Sequence, residues 1–172
     1  GYASDFPLAH GHPGHEGLGE VIDGGGTAFE PGEKVLTVPN IRISKTFAGY
    51  QLLEPRYLAR LPQGTPNSHL LMAQQLATVI FSCERVPDVE GSTVVILGQG
   101  SAGLFHDFIL RLLGAEQIIA IEPVKTRRDL AESYGADVTV DVTGDKATEA
   151  VLDMTGGSGA DLVIEAVGEV HT

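Results

Sequence analysis

Thr93-Val94-Val95-Ile96-Leu97-Gly98-Gln99-Gly100-Ser101-Ala102-Gly103 reads as a strand that turns through G-x-G-x-x-G into a helix. The strand portion shows no alternation of polar and apolar residues, as expected of a parallel strand covered on both faces. The same rhythm continues downstream. A helix over 102–113 stops at Gly114, a strand follows over 117–121, and a second helix over 126–134 stops at Gly135. Then come a strand over 138–140, a helix over 145–154 ended by Gly156-Gly157, and a strand over 161–164. Repeated strand–helix–strand units with glycine stops predict an α/β fold with a doubly wound parallel sheet.

Each glycine of the turn has its own task. Gly98 permits the tight turn, Gly100 lets the backbone approach a pyrophosphate, and Gly103 allows the helix to pack closely on the strand. The helix N-terminus then offers free N–H groups and partial positive charge to an anion. Gln99, Ser101 and Ala102 complete the expected cofactor-binding turn, and Val167 joins them from the end of the fourth strand. Glu122 ends the second strand, where a carboxylate can accept the hydroxyls of an adenosine ribose and repel a 2′-phosphate. That favours NAD, although Lys125, Arg127 and Arg128 just downstream could neutralise a 2′-phosphate, so NADP stays open. Two other readings of the turn exist. It could be only a strand-to-helix connection, or it could bind S-adenosylmethionine in a methyltransferase, a ligand with no phosphate for the helix end.

The remainder of the chain differs in character. Of 172 residues 22 are glycine, well above the usual frequency, and the formal charge is −12. Residues 1–86 carry net −2 and residues 87–172 net −10, which suggests two units with different surfaces. So acidic a chain is a poor partner for nucleic acid or anionic lipid. There is one cysteine, Cys83, no long apolar run and no signal-peptide pattern, so a cytoplasmic protein is expected. The first half breaks into short extended pieces at 19–23, 34–38, 47–53 and 57–61, punctuated by Gly and Pro, as in a small turn-rich β unit. From Asn67 a helical pattern runs through Met72, Leu76, Val79, Ile80 and Cys83 until Pro87. His10 and His12 sit in a Gly/Pro-rich stretch that reads as solvated loop, and His69, His106 and His171 have no partner pattern.

Gly14-His15-Glu16-Gly17-Leu18-Gly19, followed by Gly25 and Pro31-Gly32-Glu33-Lys34-Val35, carries a resemblance. In this order with the glycine-rich turn, the chain resembles the zinc-type alcohol and polyol dehydrogenase branch of the medium-chain dehydrogenase/reductase family. The resemblance runs from about Gly14 to Thr172. It implies a partial GroES-like catalytic domain over 1–66, a connecting helix over 67–87 and a partial NAD-binding Rossmann domain over 88–172. It also implies catalytic roles for His15, Glu16 and Thr78: His15 as a zinc ligand, Glu16 as a carboxylate near the metal, and Thr78 against the nicotinamide. Glu122 and Arg127 would hold the ribose. The implied partners are an alcohol or carbonyl substrate and further copies of the chain in a homo-oligomer.

The departures from that family matter equally. No cysteine precedes His15 to act as the first ligand, and the third ligand falls at Gln74, whose amide is a poor zinc donor. The four-cysteine structural zinc lobe is missing from 40–50. Zinc therefore rests on His15, and a zinc-independent, quinone-reductase-like member or a non-catalytic nucleotide-binding remnant are the alternatives. Four strands are present where a doubly wound dinucleotide fold has six, so the fourth strand is expected to lack a neighbour on its outer edge. A piece of a longer enzyme, or an edge completed by another subunit, would explain it.

Overall fold

The computed structural model describes residues 14, 16–39 and 46–168, which divide between Gln74 and Gln75 into two compact units. In the first unit, β1 (Gly17–Glu20), β2 (Lys34–Thr37) and β3 (Leu58–Arg60) form an antiparallel sheet in the order β1-β2-β3. Leu18 pairs with Leu36, and Val35 with Arg60. Central β2 supplies the buried residues Val35, Leu36 and Thr37. The Pro31-Gly32 turn is held by the Gly32 N–H donating to the Val21 carbonyl at 2.8 Å.

Three expectations need correction. The stretch 47–53 is not a strand: Gly49 interrupts it, Tyr50 and Leu52 face solvent, and no described strand offers it a ladder. The first strand ends at Glu20 rather than Asp23, since beyond it the chain bends into the Gly24–Gly26 turn. The helix from Asn67 is also broken. It forms α1 (Asn67–Leu70), turns through Leu71 and Met72, and resumes as α2 (Ala73–Cys83).

The second unit is the parallel sheet. Strands β4 (Thr93–Leu97), β5 (Gln117–Ile121), β6 (Val138–Val140) and β7 (Leu162–Glu165) lie in the order β6-β5-β4-β7. Helices α3 (Ser101–Leu112), α4 (Lys125–Tyr134) and α5 (Asp145–Met154) make the crossovers. Because successive strand residues point to opposite faces, Val94, Ile96, Ile118 and Ala120 bury one face beneath residues of α2, α3 and α4. Val95, Ile119 and Ile121 bury the other face against Ala147 and Val151 of α5. Helices on both faces make this a doubly wound α/β sheet, as the sequence predicts. Asp161 pins β7 to β4: its N–H donates to the Thr93 carbonyl at 2.9 Å and its carboxylate accepts the Thr93 N–H at 2.8 Å. Among the described residues nothing pairs the outer edge of β7, and Val163 is 57% exposed.

Candidate functional site

The glycine-rich turn leaves the carboxyl end of β4, where the strand order reverses between β4 and β7, and lies beside the carboxyl end of β5. Gly98 leaves β4 with φ +87°, a conformation that favours glycine, and its N–H donates to the Ile121 carbonyl at 2.8 Å. Any Cβ on Gly103 would stand 2.0 Å from the Gly98 carbonyl oxygen, so the first turn of α3 can close on the strand only without a side chain there. Gly100 is the opposite case. A Cβ on it would meet nothing within 4 Å, and the space beside the backbone is open. Gly100 is also the N-cap of α3, and no side chain caps that helix. The N–H groups of Ser101, Ala102 and Gly103 precede the first intrahelical bond, which Leu104 donates to Gly100 at 3.0 Å.

Glu122 is nearly wholly buried, and its two oxygens accept the N–H of Gln99 at 2.7 Å and of Val124 at 2.9 Å. Burial pushes its carboxyl up, but those two N–H groups and nearby Arg127 outweigh burial and hold it below the ordinary carboxylate value. Glu122 thus ties the turn to the end of β5 as an anion, with lone pairs to spare for a ligand hydroxyl. Arg127 lies 3.6 Å from it with its side chain half exposed. The other two cations are committed: Arg128 to the Glu122 and Pro123 carbonyls and Asp141, and Lys125 to Asp129. Val167 stands over the turn, its Cγ2 3.0 Å from where a Gly98 Cβ would be.

The Gln99 side chain is wholly buried, and its backbone N–H is given to Glu122. It faces α3, where Asp107 is equally buried. Sequence reasoning singled out neither Asp107 nor a partner for His106. The signal was available, since Asp107 follows Gly103 by four residues on the apolar face of an amphipathic helix. Burial pushes the Asp107 carboxyl up to about 7, with Gln99 as its hydrogen-bonding neighbour. His106 is also buried, its Nδ1 2.9 Å from the Ala102 carbonyl and its Nε2 3.5 Å from Ser82 Oγ, and burial lowers its pKa. Neutral imidazole with Nδ1–H donating to Ala102 fits that contact.

A chain with this sheet order and this turn finds its counterparts among known proteins. The zinc-binding dehydrogenase family model matches residues 103–172. Scyllo-inosose 3-dehydrogenase of Thermotoga maritima is 49% identical over 78 residues, 45% of this chain and 20% of that enzyme. NADP-dependent isopropanol dehydrogenase of Clostridium beijerinckii is 28% identical over 92% of this chain and 54% of its own length. The crystal structure of a zinc-binding dehydrogenase from Sinorhizobium meliloti bound to NADP superposes with a TM-score of 0.77 at 28% identity, covering 91% of this chain and 54% of that one. These matches bear out the resemblance to the zinc-type branch of the medium-chain dehydrogenase/reductase family. The chain spans from 20% to 54% of the length of the two enzymes above. The antiparallel sheet and the parallel sheet correspond to the GroES-like and Rossmann parts of such dehydrogenases.

The family's zinc finds little in the described residues. His15 lies outside them, as do His10, His12 and His171. Glu16 and Gln74 are half-buried in the first unit, and Thr78 is exposed on α2 in the second. Among the described residues no three His, Cys, Asp or Glu side chains converge on one point. A catalytic zinc takes three protein ligands. The described residues do not fit that group. No described helix is long and apolar enough to cross a membrane.

Proposed function

We propose that this chain provides the dinucleotide-binding part of an oxidoreductase that exchanges hydride between NAD(H) and an alcohol or carbonyl carbon. One observation carries the reading: Gly100 leaves open space against the uncapped N-terminus of α3. A pyrophosphate there would receive the N–H groups of Ser101, Ala102 and Gly103 together with the helix dipole. Glu122 and Arg127 would take the adenosine ribose. A bound nicotinamide supplies a hydride donor or acceptor at its C4, which Thr78 would help to orient. The parallel sheet would form the nucleotide domain, the antiparallel sheet part of the catalytic domain, and α1 and α2 the connection. A small alcohol or carbonyl compound is the substrate class, and turnover shows as nicotinamide absorbance across a panel of secondary alcohols, polyols and ketones.

Gly100→Val tests the reading without disturbing the fold. The backbone there, φ −73° and ψ −172°, is extended, and a side chain has room. Stability should change by no more than about 1 kcal/mol, the cost of a poorer N-cap. NADH affinity should fall about a hundredfold, since phosphate contacts worth roughly 2.7 kcal/mol are blocked. Unchanged NADH affinity in a folded variant would place the cofactor elsewhere.

Buried, anionic Glu122 favours NAD(H), and Arg127 beside it moderates the preference. Arg127→Ala is expected to weaken NADPH binding by about fivefold, on the order of 1 kcal/mol for an exposed ion pair, and NADH binding far less. Equal losses for both nucleotides would remove Arg127 from the 2′-phosphate.

A further inference from the structure

We propose that Asp107 is a positioning residue for the dinucleotide site, acting through Gln99 on the glycine-rich turn and holding it in the binding form only while its carboxyl is protonated. The inference rests on the dinucleotide reading above.

The geometry begins with Gly103. The place where its Cβ would be is 3.4 Å from Gln99 Oε1, so the Gln99 amide lies against the first turn of α3. Asp107 follows one helical turn later on the same face, and both side chains are 0% exposed. Neither the amide atoms of Gln99 nor the carboxyl oxygens of Asp107 have another hydrogen-bond partner. Buried polar atoms left so are costly, and the Gln99 amide is the polar group beside the Asp107 carboxyl. Only the acid form completes the pair. Either form of Asp107 can accept from Gln99 Nε2–H, a bond that by itself favours the carboxylate and opposes the effect of burial, but only protonated Asp107 can also donate Oδ–H to Gln99 Oε1; a carboxylate leaves that oxygen unpaired. The backbone N–H of Gln99 is meanwhile fixed by Glu122 at 2.7 Å, so a displaced Gln99 shifts the residue between Gly98 and Gly100.

Other charges around α3 are engaged elsewhere. On α3 itself, Arg111 is bonded to the Ala115, Glu116 and Gly135 carbonyls and to Asp137, and His106 to Ala102. Strands β4 and β5 carry no titratable group, and Glu122 beyond β5 is held by two N–H groups. On α4, Lys125 pairs with Asp129 and Arg128 with Asp141, while Arg127 lies by Glu122 and Glu132 accepts from Thr139. Tyr134 on α4 and Cys83 on α2 complete the set, and burial pushes the Cys83 thiol up. The group whose protonation the pair requires, and which titrates to about 7, is Asp107.

The test is NADH fluorescence titration of the full chain and of Asp107→Asn across pH. If binding raises the Asp107 pKa by one unit, the wild-type Kd rises about tenfold between pH ~6 and pH ~8.5. Asp107→Asn keeps a neutral donor and acceptor, and its Kd should stay near the wild-type acid value throughout. Should that variant not fold, Gln99→Met severs the pair while leaving the carboxyl, and the pH dependence should shrink to about twofold or less. Variant profiles parallel to the wild type, with binding intact, overturn the role of Asp107 and leave the dinucleotide reading standing. Absence of NADH binding by the wild-type chain at every pH overturns both.

Discussion

Gly103→Val is expected to be the most disruptive single substitution in the parallel-sheet unit. Its Cβ would meet the Gly98 carbonyl oxygen at 2.0 Å, and that oxygen belongs to backbone already hydrogen-bonded to β5 through the Gly98 N–H. No rotamer relieves such a contact, so either α3 lifts from the sheet or the turn distorts. The cost should be at least about 3 kcal/mol, the upper end for overpacked interiors. Against a total stability of roughly 5–15 kcal/mol that is a large fraction. Urea denaturation should show a lower midpoint with the slope preserved, and NADH binding should be lost with it. A wild-type midpoint would mean that α3 does not approach β4 as closely as described.

Glu122→Ala should rank second. It strips the acceptor from two backbone N–H groups, those of Gln99 and Val124, in a place with little access to water. Each buried donor left unpaired costs about 1–3 kcal/mol, and partial hydration limits the total to about 2–4 kcal/mol. The pH dependence carries a definite sign. Because the folded pKa lies below the unfolded value near 4.5, the ionised carboxylate stabilises fully above that value, and the gain disappears as pH falls through the folded pKa. The gap between wild-type and Glu122→Ala midpoints should therefore be wide at neutral pH and narrow in acid. A gap that widens on acidification would contradict the bonds assigned to Glu122.

Much of the second unit was legible in the sequence because its signals are local. The runs at 117–121, 138–140 and 145–154 are bounded by turn residues, and the observed elements coincide with them. The turn made by the three glycines and the place of Glu122 were legible for a related reason: they depend on backbone shape and on position at a strand end. The antiparallel unit was harder. A short strand exists only where a partner accepts its ladder, and the apolar stretch at 47–53 finds none among the described residues. The burial of Gln99 and Asp107 was not legible, for a different reason. Whether a polar side chain beside the turn faces a ligand or the helix is decided by how α3 lies on the sheet, which no spacing encodes. His15, on which the metal reading depended, lies outside the described residues.

If the turn at Gly98–Gly103 holds the pyrophosphate of a nicotinamide dinucleotide, calorimetric titration of the chain with NADH, NADPH and S-adenosylmethionine side by side should show saturable one-site binding of NADH, weaker binding of NADPH and no heat from the methyl donor. Binding of S-adenosylmethionine alone, or of none of the three, would rule out a dinucleotide at this turn.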